Sequence, residues 1–205
     1  MAPTATSRRR SQARQSRQEI RARIVAAATE LVRHRAYAEL SVDELMREAG
    51  IGRTIFYRHF DDLPDLLMRA SREAIDELLE AQERLGQVRP DQDPEAVRKA
   101  LQPAVDVYMR HGPLLRGVAE AATDHEQIAA GYAAMHQRFD ELVEQTLRAV
   151  SDLSVTPLAN VAQTARALNL MNESYLLDVF GRTPRVSRQT AVQTLTEIWE
   201  AVIRR

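Results

Sequence analysis

The chain has 205 residues, a net charge of −1 and 44% hydrophobic residues, which suits one large domain or two modest ones with a buried core and excludes a largely disordered chain. It contains no cysteine, so a disulfide scaffold, a cysteine-based zinc site, an iron–sulfur cluster and a thiol nucleophile are all excluded. No apolar run reaches the roughly 18–20 residues of a membrane span, the N-terminus lacks the apolar stretch of a secretory signal, and seven glycines are too few for a turn-rich all-β fold; a cytoplasmic protein with no membrane partner is expected.

Taken along the chain, the charge separates. Residues 1–60 hold twelve arginines and six carboxylates, a net of +6, which leaves −7 for the remaining 145 residues. Residues 1–16 carry Arg8, Arg9, Arg10 and Arg14 without an acid and are expected to form a disordered basic arm. Such an arm seeks phosphate, although the same composition also suits a solvated tail or an organellar transit peptide. From Arg17, Ile20, Ile24, Ala27, Ala28, Leu31 and Val32 recur at helical steps, predicting a helix that ends near Arg35. The run Ser41-Val42-Asp43-Glu44 reads as a capping box opening a short helix that stops at Gly50, a residue suited to the left-handed conformation of a helix end. Gly52 serves as the next N-cap, and residues 53–60 make barely two turns.

Helix, glycine turn, helix, with a third helix behind, is the layout of a helix-turn-helix DNA reader. The short final helix divides by face: Arg53, Thr54, Tyr57 and Arg58 point outward, while Ile55, Phe56 and Phe60 point inward. Arg53 can pair with guanine, Thr54 with a phosphate or a thymine methyl, and Tyr57, Arg58 and His59 with phosphate oxygens. The Ser41 hydroxyl at its helix N-terminus can hold a further phosphate.

Beyond Phe60, a helix opening at Pro64 carries Leu66, Leu67, Ala70, Ala74, Leu78 and Leu79 and frays near Gly86. Gln87 to Pro94 reads as a loop. A helix from Glu95 is expected to be kinked or broken by Pro103 and ended by Gly112-Pro113. A short helix from Leu114 to Ala122 follows, then long ones over Glu126–Val150 and Pro157–Phe180, and a last one over Ser187–Ile203. No convincing strand pattern is present. The predicted fold is all-α with eight to ten helices: a three-helix head over 17–60 and a larger helical ligand-binding and dimerisation domain over 61–205.

The segment SVDELMREAGIGRTIFYRHF, Ser41 to Phe60, resembles the helix-turn-helix signature of TetR-family transcriptional repressors, with its Ala-Gly turn and its Tyr-Arg-His-Phe ending. The resemblance implies an all-helical dimer that binds double-stranded operator DNA. It also implies phosphate contacts at two positions where this chain departs from the common pattern, Gly52 in place of Ser or Thr and Leu63 in place of Lys. The arginine arm is the expected substitute. A second match, Ala167-Leu168-Asn169-Leu170-Met171-Asn172-Glu173 followed by Ile198-Trp199, is similar to the closing helices of the ethionamide-resistance repressor subgroup. That similarity implies that Asn169, Asn172 and Trp199 line a long, mostly apolar ligand channel.

Asn169, Asn172 and Glu173 share one helix face, where an amide can orient the carbonyl of a small apolar effector. An Asn on such a face can equally fix register between paired helices: Val161, Leu168, Asn172 and Tyr175 fall on a seam-like stripe, and Val192, Leu195, Trp199 and Val202 form another. A homodimer through Val161, Leu168, Tyr175, Val192, Leu195 and Val202 is therefore expected. Tyr132, Met135, His136, Phe139 and Val143 form a further stripe, and Met109, Tyr132, Phe139 and Trp199 are candidate pocket walls beside Glu173. The histidines lack metal-ligand spacing, and no nucleophile elbow, Walker loop or dinucleotide fingerprint is present. No cofactor, metal or catalytic residue is expected. The expected function is that of a repressor that leaves its operator when it binds effector; an architectural DNA-binding protein without a ligand site, or a helical carrier or hydrolase with a vestigial head, are the alternatives.

Overall fold

A computed structural model describes residues 5–85, 95–151 and 157–203. The first helix, α1, spans Ala5–His34, so the backbone from Ala5 through residue 16, expected to be disordered, is helical. The reason is local: no proline or glycine falls between Ala5 and His34, and alanine, arginine and glutamine are strong helix formers. A 3₁₀ turn at Tyr37–Glu39 leads to α2, Val42–Glu48, and α3, Arg53–Phe56. The body follows as α4, Leu63–Leu85, α5, Ala96–Ala121, α6, Glu126–Ser151, α7, Val161–Phe180, and α8, Arg188–Ile203. Among the described residues there is no strand, as the all-α prediction requires. The loop expected over Gln87 to Pro94 lies outside the described residues.

Side-chain caps set several helix starts. Ser41 accepts from the Glu44 backbone N–H at 3.3 Å, Asn160 from Gln163 at 3.0 Å and Ser187 from Thr190 at 3.1 Å, each satisfying a donor that the first turn leaves unpaired. The box expected at Ser41 is half made, because the Glu44 carboxylate accepts from Arg35 instead. Asp62 accepts from the Asp65 backbone N–H at 2.8 Å while Asp65 accepts from that of Asp61 at 3.0 Å. The acids after Phe60 thus begin α4.

The expected break in the middle of the chain does not occur, since α5 runs unbroken through Pro103 and Pro113. Tertiary packing overrides the local penalty. Gly112 lies against the end of α7, where an added Cβ would come within 2.3 Å of the Phe180 carbonyl oxygen. Its role is close approach between helices rather than helix termination.

Three apolar clusters stack along the molecule. Ile24, Ala28, Leu45, Met46, Phe56, Phe60 and Leu66 fill the head. Val32, Tyr37, Leu67, Leu114, Val118 and Ile128 fill the junction, and the body core gathers residues of α4 to α8 around Trp199 and Phe180. Neighbouring α4 residues, Leu66 and Leu67, enter the head and the junction, so the packing unit of the head extends beyond residue 60. Across the junction, the Glu120 carboxylate on α5 accepts from the Tyr37 backbone N–H at 2.8 Å, and the Tyr37 ring stands edge-on to His125 at 5.6 Å. Burial, followed by the nearby Asp62 charge, pushes the Tyr37 phenol up to about 12, so it stays neutral there.

Candidate nucleic-acid interface and interior cavity

The turn between α2 and α3 is built on Gly50, whose φ of 63° lies in the left-handed region. The Gly50 N–H donates to the Arg47 carbonyl at 3.1 Å and the Ile51 N–H to the Met46 carbonyl at 3.0 Å, a paired arrangement that closes a helix on a left-handed residue. Arg23 of α1 clamps this turn by donating to the Ala49 carbonyl at 2.7 Å and the Gly50 carbonyl at 3.3 Å. Sequence reasoning missed Arg23, because its partner carbonyls carry no residue signature.

The helix expected over 53–60 is a single turn, α3, continued by a turn at residues 57–59, and the two together present the predicted faces. Phe56 and Phe60 are 0% and 1% exposed, whereas Tyr57 is 54% exposed. Gly52, Arg53, Thr54 and Arg58 are open to solvent, as is Ser41, and His59 is partly covered. Gly52 caps α3 without a side-chain contact. Arg53 donates from one nitrogen to both carboxylate oxygens of Asp43, at 2.9 and 2.8 Å. The pair is exposed, so water screens it and a competing acceptor can displace it. Desolvation and then the cations Arg21, Arg17 and Arg58 lower the pKa of His59, which favours the neutral ring.

The body places the candidate ligand residues in different environments. Phe139, Asn169, Asn172 and Glu173 line one interior cavity together with Gln82, Tyr108, His136 and Leu195, but its volume is only about 40 Å³. Asn169 donates to Asp140 at 2.8 Å and accepts from Gln82 at 3.4 Å. Asn172 accepts from the Trp199 indole N–H at 3.1 Å. Trp199 is completely buried and lies behind the cavity wall, so its polar atom is used by the fold. Met109 is 41% exposed; its neighbours Val107 and Tyr108 take the inward positions on α5, so it is no pocket wall. Tyr132 faces an open cleft toward the head rather than the cavity, and its hydroxyl donates to Glu173 at 2.6 Å.

Glu173 is also within 3.0 Å of His136 Nε2. This hydrogen bond, opposed by burial and reinforced by the charges of Glu173 and Asp140, raises the pKa of His136. The α6 stripe had placed Tyr132, His136 and Phe139 on one face. Their meeting with Glu173 joins two helices and has no local signal. Tyr108, fully enclosed, is held neutral by desolvation and then by the Glu173 charge.

The predicted dimer residues need correction. Leu168, Val192 and Leu195 are buried at 5% exposure or less, and Val161, Tyr175 and Val202 pack against the same body core. Leu168, Val192 and Leu195 thus belong to the monomer core, while Val161, Tyr175 and Val202 remain partly exposed at its edge. Facing away from the core are Ala167, Leu170 and Ser174 on α7 and Ile198 and Ala201 on α8, with Leu170 43% and Ile198 37% exposed. Among the described residues, no cluster of three His, Cys, Asp or Glu side chains could hold a metal ion, and no helix is long and apolar enough to cross a membrane.

Two family models match the chain, that of bacterial regulatory proteins of the tetR family over residues 24–69 and that of the C-terminal domain of the transcriptional regulator EthR over residues 97–204. The HTH-type transcriptional regulator EthR of Mycolicibacterium smegmatis is 27% identical over 205 residues, covering 96% of this chain and 91% of its own. Its namesake in Mycobacterium tuberculosis is 28% identical over 195 residues, covering 94% and 90%. Two solved structures share the fold. The TetR family transcriptional regulator PfmR from Thermus thermophilus has a TM-score of 0.72 at 20% identity, covering 88% of this chain and 96% of its own. NalD, the secondary repressor of the MexAB-OprM multidrug efflux pump in Pseudomonas aeruginosa, has a TM-score of 0.69 at 21% identity, covering 93% and 98%.

Proposed function

Because the chain belongs to the TetR family of bacterial transcriptional regulators, with an EthR-type C-terminal domain, we propose that it binds operator DNA as a homodimer and is released by a small, mostly apolar effector held in its body. It is a DNA-binding transcriptional repressor and not an enzyme. The observation that carries the operator reading is the exposed face of α3 and the turn that follows it, where Arg53, Thr54, Tyr57 and Arg58 stand on a corner fixed by Gly50, Arg23 and the Phe56–Phe60 core. In the major groove, Arg53 exchanges Asp43 for a guanine edge, Tyr57, Arg58 and His59 meet phosphates, and Ser41 with the start of α2 meets another. Two such heads read half-sites about 34–36 Å apart. The protein acts in the cytoplasm, where its operator lies.

Dimerisation uses the outer faces of α7 and α8. Ala167, Leu170 and Ser174 recur at three-four spacing, and Thr194, Ile198 and Ala201 at four-three. Small and apolar groups at that spacing allow close packing of two helices from each protomer into a four-helix seam. The effector reading rests on the buried amide and carboxylate groups around the cavity. At about 40 Å³ that space is far below the roughly 300 Å³ of a ligand pocket, so an effector acts by prying the body open. Leu78 and Gln82 on α4 line the cavity while Leu66 and Leu67 on the same helix pack toward the head. Opening the cavity therefore shifts α4 and respaces the heads, a coupling of about 1–3 kcal/mol.

Fluorescence anisotropy with duplexes from the upstream region of the protein's own gene tests the operator reading. Arg53→Ala combined with Tyr57→Phe is expected to weaken the specific duplex about tenfold or more while changing random duplex binding far less. Unchanged discrimination would move the recognition site off α3.

A further inference from the structure

A second, larger concavity lies where the head meets the body. It has a volume of about 600 Å³ and is bounded by Arg21 of α1, Met68, Arg69, Arg72, Ile75 and Asp76 of α4, Val118 of α5 and Gly131, Tyr132 and Met135 of α6. We propose that this cleft binds an aliphatic carboxylate, a single anionic headgroup on an unbranched hydrocarbon chain. The site is separate from the interior cavity, and the inference does not depend on the effector reading above.

Its floor is apolar and adaptable. Met68, Ile75, Val118 and Met135 offer a run of thioether and branched side chains, and methionine reshapes easily around a flexible chain. Its rim is cationic. Three guanidiniums and one carboxylate, Asp76, line it, and Arg69 is paired with a carboxylate, Asp65, at 2.6 Å. Arg21 rests over the Phe60 ring at 5.5 Å. Neither Arg21 nor Arg72 pairs with a carboxylate among the described residues.

An unsatisfied guanidinium pair over an apolar floor selects for the union of two properties. A carboxylate accepts from guanidinium in a bidentate fork, and a chain behind it removes the floor from water. A cation is repelled by the rim, and a nucleic acid phosphodiester leaves the floor uncovered. Orientation is set by charge as well: the neighbouring groove on α4 shares Arg69, Arg72 and Asp76 with the cleft and adds Glu73, Glu77 and Glu80, which repel the headgroup and turn it toward Arg21. Bound there, the ligand touches α1 as well as α4 and α6, joining the head to the body.

Isothermal titration of the full chain with sodium decanoate, decanol and decylamine hydrochloride, each below its aggregation concentration, tests the proposal. Decanoate is expected to bind once per chain and at least tenfold more tightly than the alcohol or the amine. Arg21→Gln and Arg72→Gln, both at exposed positions and checked for folding by circular dichroism, should each weaken decanoate about tenfold without changing decanol. Asn169→Ala, in the interior cavity, should leave decanoate unaffected. The proposal is overturned if decanoate does not bind, if the three probes bind alike, if the arginine variants retain full affinity, or if Asn169→Ala causes the loss instead.

Discussion

His136 shows how one contact between helices makes a residue informative. It is largely buried and bonded to Glu173, and this bond, with Glu173 and Asp140 charges in support and burial and Arg166 in opposition, raises its folded-state pKa. The unfolded imidazole titrates near pH 6.5. The stability contributed by the charged pair is therefore fully present below about pH 6.5 and is lost as pH rises through the folded value. The Tm difference between the parent and His136→Gln should be largest near pH 6 and shrink toward pH 9; a difference independent of pH would mean that the imidazole is neutral throughout. Sequence placed His136 on the correct helix face and no further, since its pKa depends on a carboxylate 37 positions away. Arg53, Thr54, Tyr57 and Arg58 were legible for the opposite reason. Their face is fixed within eight residues, α3 and the turn after it, by the burial of Phe56 and Phe60.

At the level of elements, helix starts were readable at Ser41 and Ser187, each capping its first turn, whereas α7, expected from Pro157, begins at Val161 behind the Asn160 cap. The continuity of α5 was not. Propensity alone makes proline costly inside a helix, by about 3 kcal/mol, and predicts that replacing a helix-interior glycine with alanine stabilises by about 0.5–1 kcal/mol. Gly112 reverses that sign, because the new Cβ would overlap the Phe180 carbonyl oxygen at 2.3 Å and its carbon at 2.8 Å. These are backbone atoms at the end of α7, which cannot swing aside as a side chain does. Gly112→Ala should therefore destabilise by about 1–3 kcal/mol through overpacking, a Tm drop on the order of 2–12 °C. A Tm at or above that of the parent would show that α5 and α7 have room to separate.

For the whole molecule, the stripes with the strongest apolar periodicity belong to the monomer core. Val161, Leu168 and Tyr175 on α7 and Val192, Leu195 and Val202 on α8 pack in the core that holds Trp199, and the weaker stripe through Leu170 and Ile198 faces outward, the seam proposed above. Leu170→Glu with Ile198→Glu is expected to convert a dimer to a monomer in sedimentation velocity, with little loss of helicity. It should also weaken binding to a two-half-site operator far more than to a single half-site. A persistent dimer would place the seam elsewhere. The net charge of −1 hides a second division at this scale, between a +6 head and a −7 body. Deleting residues 1–16 removes four arginines and should flatten the salt dependence of DNA binding by up to about 3–4 logarithmic units; an unchanged slope would exclude the arm from the complex.

By itself the sequence determined the all-helical class, the helix-turn-helix corner and the inward and outward faces of α3, because each follows from hydrogen bonds and side-chain directions spanning only a few residues. Tertiary structure decided which amphipathic faces join which. Periodicity shows that a face is apolar without saying whether its partner is the same chain or another, so Leu168, Val192 and Leu195, expected in a dimer seam, lie in the core instead. It also decided that Trp199 serves Asn172 and that Met109 faces water. Above all, it decided that Arg21 and Arg72, 51 residues apart, share one cleft: α1 and α4 meet only when the head and junction cores form.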